Sequence, residues 1–204
     1  KAVKRIGPEF YGSNNTTTSK PSFPSLEKLV LKGMSELVEW YKPEGEGIQP
    51  FPRLSFLKVF GCPKLRGPLC LPSHYKELRV HHWRSFSSIH EEGIYLFGCP
   101  SFSRLIEWIP MQNLASLEMV EISSDEITSF TTEQEEWFQH LTSIQLLRFY
   151  FCKKLQSLPS ILSLSTLRQL SAGGCPRLKS LPEEGLPTSL KRLSLSGIHR
   201  ELKE

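Results

Sequence analysis

One spacing constrains this chain more than any other feature. Leu26-x-x-Leu29-x-Leu31 recurs as Leu54-x-x-Leu57-x-Val59, Tyr75-x-x-Leu78-x-Val80, Leu117-x-x-Val120-x-Ile122, Ile144-x-x-Leu147-x-Phe149, Leu167-x-x-Leu170-x-Ala172 and Leu190-x-x-Leu193-x-Leu195. A weaker copy starts at Glu91, with Ile94, Leu96 and Cys99 in register. Alternation within each copy has the period of a strand, whose side chains point to opposite faces by turns. A helix bundle instead needs apolar residues at i, i+3, i+4 and i+7, and 15 prolines and 13 glycines interrupt those windows. One such unit cannot bury its apolar face alone; stacked neighbours bury it for one another. The expected architecture is therefore an α/β repeat solenoid. A parallel sheet lines its concave side, and irregular or short-helical returns form the convex side.

The copies start 28, 21, 16, 26, 27, 23 and 23 residues apart. All but the 16 fall in or near the range of leucine-rich repeats, so Glu91–Phe102 is the least regular copy. Burying one leucine is worth about 1.5–3 kcal/mol, and a polar residue at Leu29, Leu57 or Leu170 is expected to unfold its neighbourhood. Cysteine follows the same repeat. Cys62, Cys99, Cys152 and Cys175 sit in the similar contexts FGCP, FGCP, YFCK and GGCP, as if one structural position recurred. Cys70 makes the number odd, no C-x-x-C pair exists for zinc, and reduced, buried thiols of a cytoplasmic protein are the simplest reading.

Between strands the returns differ. LQSLP at 155–159 and LKSLP at 178–182 suit short extended segments on the convex side. Thr132–Leu141 suits a short helix instead, with Thr132 and Glu135 at capping-box spacing and Trp137 and Leu141 on one face. Its acidic cluster is read as a solvated helix start. Residues 1–22 are expected to hold the end of a preceding repeat and a polar loop at Gly12–Ser22, with about seven to eight irregular repeats over 23–204. The formal charge of +4 gives little basis for nucleic-acid binding. No apolar run reaches the roughly 20 residues of a membrane span, and Lys1–Pro8 has no apolar core of signal-peptide type.

Outward-facing strand positions form two stripes on the concave side. In chain order the first reads Val30, Lys58, Arg79, Tyr95, Glu121, Arg148, Ser171 and Ser194, and the second Lys32, Phe60, His81, Phe97, Ser123, Tyr150, Gly173 and Ser196. Aromatic side chains beside Arg and Lys are what protein interfaces use as anchors. Lys58, Phe60, Arg79, His81, Tyr95, Phe97, Arg148 and Tyr150 are thus the candidate protein-binding surface, ahead of two C-terminal repeats that offer only Ser and Gly. The competing reading is that these aromatics fold over one another. The six histidines show no H-E-x-x-H and no other metal spacing, and no G-x-S-x-G elbow is present, so neither a catalytic nor a metal site is expected.

Several segments resemble the repeats of plant intracellular immune receptors of the coiled-coil, nucleotide-binding class. They are GMSELVEW at 33–40, FPRL at 51–54 with CPKL at 62–65, CPRLKSLP at 175–182, TEQEEWF at 132–138 and EEGLPTSL at 183–190. Ile6–Gly12 resembles the tail of a preceding repeat. The resemblance implies a cytoplasmic recognition module, with nuclear or membrane-associated locations open to it in complex. Its implied partners are a pathogen effector or a guarded host protein, and an intramolecular nucleotide-binding domain if the chain is part of a longer one. No G-x-x-x-x-G-K-[ST] loop is present, so ADP or ATP would belong to that other domain. The chain opens mid-repeat and looks like a C-terminal fragment or truncated product. Two other readings compete. Overlapping N-x-[ST] sequons at Asn14 and Asn15 suit a cell-surface receptor ectodomain, and similar repeats also serve as ubiquitin-ligase substrate adaptors.

Overall fold

The computed structural model describes residues 3–11, 22–41, 50–66, 75–81, 93–97, 109 and 111–199, with only the backbone of 80, 81, 93, 95, 97 and 112. The polar loop expected at Gly12–Ser22, the sequons, Cys70 and Cys99 lie outside the described residues, apart from Ser22.

The described chain is a parallel-strand solenoid. A short strand β1 (Arg5–Ile6) and a 3-10 helix (Pro8–Tyr11) precede β2 (Lys28–Lys32), β3 (Glu39–Trp40), β4 (Phe56–Phe60), β5 (Glu77–His81) and β6 (Gly93–Phe97). Helix α1 (Met111–Leu114), β7 (Met119–Ser123), α2 (Thr132–Gln139), β8 (Leu146–Tyr150), β9 (Gln169–Gly173) and β10 (Arg192–Ser196) follow. Eight strands form one sheet, every described pairing in it parallel. On the convex side β1 pairs β3, Glu39 bridges Arg66, and Ser157 bridges Ser180. The extended returns expected around 155–159 and 178–182 are therefore present.

Register follows the repeat at every pairing. Leu29, Leu57, Ile94, Leu78, Val120, Leu147, Leu170 and Leu193 are consecutive partners across the sheet. In the middle of this row, from Leu57 to Leu170, every side chain is fully buried. At its ends Leu29 is half-buried and Leu193 is 41% exposed. A polar residue at Leu29 would thus disturb far less than one at Leu57 or Leu170, because among the described residues β2 and β10 each have a neighbouring strand on one side only.

Strand order departs from the sequence. The sheet runs β10-β9-β8-β7-β5-β6-β4-β2, so β6 lies between β4 and β5. Stripes read in chain order thus exchange Arg79 with Tyr95, and His81 with Phe97. The x-L-x-L-x pattern fixes a strand's face and register, yet β5 and β6 carry the same pattern, and nothing in it selects which neighbour each one takes.

Three described cysteines occupy the shared position, two residues beyond a strand and fully buried. Cys152 Sγ lies 3.6 Å from the Ile122 carbonyl and Cys175 Sγ 3.7 Å from that of Phe149, each in the preceding repeat. The thiol is thus a small apolar plug with a weak donor reaching back one turn. Burial pushes the Cys62 thiol up from its ordinary range. A hydrogen bond with Cys175, and then burial, raise that of Cys152.

Helix α2 forms where expected, but its cap is Thr131. The Thr131 hydroxyl accepts from Gln134 N–H, and Gln134 Oε1 accepts from Thr131 N–H at 3.0 Å. That register places Trp137 and Phe138 in the core, Phe138 edge-on to Phe130. Glu135 turns to the next return and accepts from Ser160 N–H at 2.7 Å. Thr131→Ala is expected to cost about 1 kcal/mol, whereas Thr132→Ala, at an exposed first-turn position, should be neutral or slightly stabilising. Paired urea titrations decide between the two caps.

Candidate functional site

Each strand turns one face to the leucine core and the other outward. On that open face the two expected stripes keep their register: Val30 opposite Lys58, Lys58 opposite Tyr95, Tyr95 opposite Arg79, Arg79 opposite Glu121, and Glu121 opposite Arg148. In the second stripe Phe60 pairs with Lys32 and Phe97, His81 with Phe97 and Ser123, and Tyr150 with Gly173. Of Tyr95, Phe97 and His81 only these backbone positions belong to the described structure.

Side chains divide the face into three parts. At the β4 end, Phe56 is 8% exposed and packs with Phe60 in a cluster separate from the main core. Phe56, Lys58 and Phe60 alternate along one strand, and both aromatics therefore sit on the outward side. Phe60 and Lys58 are half-buried. Phe56 went unnoticed in the sequence because the two-stripe reading left out the first position of each strand. That position forms a third row in which Met119, 7% exposed, pairs with Leu146.

In the centre is a ladder of charges. Arg79 is 2% exposed, with Nη2 3.5 Å from Glu77 Oε2 and 4.0 Å from Met119 Sδ. It was expected on an exposed contact stripe; β6 on one side and β7 on the other bury it instead. Glu121 is also 2% exposed and accepts from Arg148 Nη1 at 3.4 Å, while Arg148 stays 31% exposed. Side chains on adjacent paired strands lie within reach of one another, and Glu121 is flanked by an arginine on each side. Positive charge here is largely matched by Glu77 and Glu121.

At the β8–β9 end, Tyr150 is half-buried and its ring crosses Gly173: a Cβ on that glycine would stand 2.9 Å from the ring. Phe151 lies over Gly174 in the same way, at 2.8 Å, and is 55% exposed. Gly173, where the two C-terminal repeats offering only Ser and Gly begin, forms with Gly174 a bare shelf carrying two aromatic rings. Phe151 is also the one described non-glycine residue with positive φ, at 54°. Gly33, Gly61, Gly174 and Gly197 hold the equivalent place after other strands, at 58–66°. The left-handed conformation costs a side-chain-bearing residue roughly 1–2 kcal/mol, and such strain tends to collect at functional positions. A sequence signal existed: Phe151 stands in YFCK where FGCP and GGCP carry glycine.

Chemically, this face offers half-buried aromatics at two ends of a neutralised charge ladder. Among the described residues no group of three or more His, Cys, Asp or Glu converges as a metal site, and no helix is long and apolar enough to cross a membrane. No protein-family model matches the chain. In an alignment 187 residues long that covers 85% of the chain, it is similar at 26% identity to a protein of Arabidopsis thaliana named "Putative disease resistance RPP13-like protein 1", of which the alignment spans 17%.

Proposed function

We propose that this chain is the recognition region of a plant intracellular immune receptor. It binds a pathogen effector, or a host protein that an effector alters, through the open face of its sheet, and it regulates an attached nucleotide-binding switch domain. One observation carries the reading. Among the described residues Phe56 and Phe60 form an apolar cluster on the outward side of the sheet, separate from the main core, with Tyr150 outward on β8 and the exposed Phe151 just beyond that strand's end. Aromatics framed by polar and charged side chains are the usual anchors of protein interfaces. Similarity to a protein named for disease resistance supports a defence setting.

In this reading the chain carries no catalytic step and no cofactor; ADP or ATP belongs to the switch domain, and the setting is cytoplasmic. A ligand activates such a switch only by binding the signalling arrangement better than the resting one, and coupling of about 1–3 kcal/mol is typical.

The test uses the native receptor in challenged host tissue. Proximity labelling by wild type is compared with labelling by a Phe60→Ser, Tyr150→Ser, Phe151→Gly variant. The expected result is a partner labelled at least tenfold less by the variant, whose far-UV circular dichroism is unchanged. Equal labelling would place recognition elsewhere, and lost dichroism would make these side chains structural. Occupied glycans at Asn14 or Asn15 would favour the ectodomain reading.

A further inference from the structure

Strands β7 to β10 begin on a common lip, and the residue before each keeps the sheet's alignment. These residues are Glu118, Gln145, Arg168 and Lys191. Backbone bonds hold the row. Gln145 N–H donates to the Glu118 carbonyl at 2.8 Å, Arg168 N–H to Gln145 at 2.9 Å, and Lys191 N–H to Arg168 at 2.8 Å. Two positions earlier comes a row of hydroxyls, and three of them bind back to the neighbouring turn, Ser116 Oγ donating to the Tyr75 carbonyl at 3.2 Å. Thr166 Oγ1 donates to the Ile144 carbonyl and Ser189 Oγ to that of Leu167, both at 2.8 Å. Between the rows runs a groove of about 530 Å³ lined by these residues, Ser116 excepted.

Its charges are unevenly matched. Glu118 is satisfied at one end by Lys76 Nζ, 3.1 Å away. Arg168 and Lys191 are exposed in adjacent repeats at the other end, and among the described residues no acidic side chain pairs with either. Three strand spacings make the groove about 14 Å long, the reach of four or five extended residues. A guanidinium beside an ammonium suits carboxylates, the first as a fork and the second as a point charge. Gln145 and the hydroxyl oxygens add partners for a polar main chain.

We propose that this lip groove binds an acidic segment of a protein chain in extended form, its carboxylates taken by Arg168 and Lys191. The groove is separate from the aromatic open face and does not depend on it.

The probe is a fluorescein-labelled pentaglutamate peptide, titrated with the full chain at about 50 mM salt, where screening is weak, and followed by anisotropy. Saturable binding is expected, weakened at least tenfold by the Arg168→Gln, Lys191→Gln pair. The Lys28→Gln, Lys32→Gln pair, which removes the same charge at the far edge of the sheet, should leave it unchanged. All four side chains are exposed, so circular dichroism should not differ. Absence of saturable binding, equal weakening by both pairs, or equal binding of a pentaglutamine peptide would overturn the proposal. Amide shifts on titration should centre on Gln145, Arg168 and Lys191; shifts centred on Lys58 and Phe60 would overturn it too.

Discussion

Glu121→Ala is expected to lower the unfolding free energy by about 3–5 kcal/mol, the cost of breaking a buried ion pair from one side. Glu121 is 2% exposed and sits between Arg79 and Arg148 across two strand pairings. Removing its carboxylate leaves Arg79, equally buried, with Glu77 as its nearest acid. Arg148, 31% exposed, recovers water and suffers less. Arg148→Met breaks the same contact from the other side and leaves the buried Glu121 carboxylate with only Arg79 opposite it, so it should cost at least as much as Glu121→Ala. Glu121→Gln keeps the volume and an acceptor oxygen and should cost less than either. Urea unfolding of the three variants measures this. A loss below about 1 kcal/mol for Glu121→Ala, typical of surface pairs, would mean that the ladder is solvated.

This ladder also marks where sequence reading stopped. Strand positions, facing and register were legible because alternation has a period of two, and a slip of one residue would expose a whole leucine row. The buried cysteines were legible from their repeated context. Arg79 was read as exposed because its parity is outward, and parity says nothing of how much neighbouring side chains cover. Whether Phe60 stands free or folds over a companion likewise depends on Phe56, two residues away on the same face. The exchange of β5 and β6 was invisible, since two strands with one pattern are interchangeable until their connections are placed. Thr131 and Thr132 both satisfy the capping spacing; the core's need for Trp137 and Phe138 selects the first. Phe151 was legible in principle, being the residue that breaks a glycine pattern.

A second large effect belongs to the core row, and its size should depend on place rather than residue type. Leu170→Ala removes a fully buried side chain whose partners Leu147 and Leu193 flank it on β8 and β10, and the expected loss is about 2–5 kcal/mol. Leu29→Ala makes the same chemical change at a half-buried position on β2, which among the described residues is flanked by a strand, β4, on one side only. Its cost should be about 1 kcal/mol, because the removed atoms were only partly withdrawn from water. In a solenoid each repeat is stabilised by its neighbours, so the damage should also spread differently. Hydrogen exchange in Leu170→Ala should quicken on both sides, through β8, β9 and β10, whereas Leu29→Ala should loosen β2 and leave β7 to β10 protected. Equal losses for the two variants, or uniform exchange across the sheet in either, would show that the chain unfolds as one block and that its edges are not weaker than its middle.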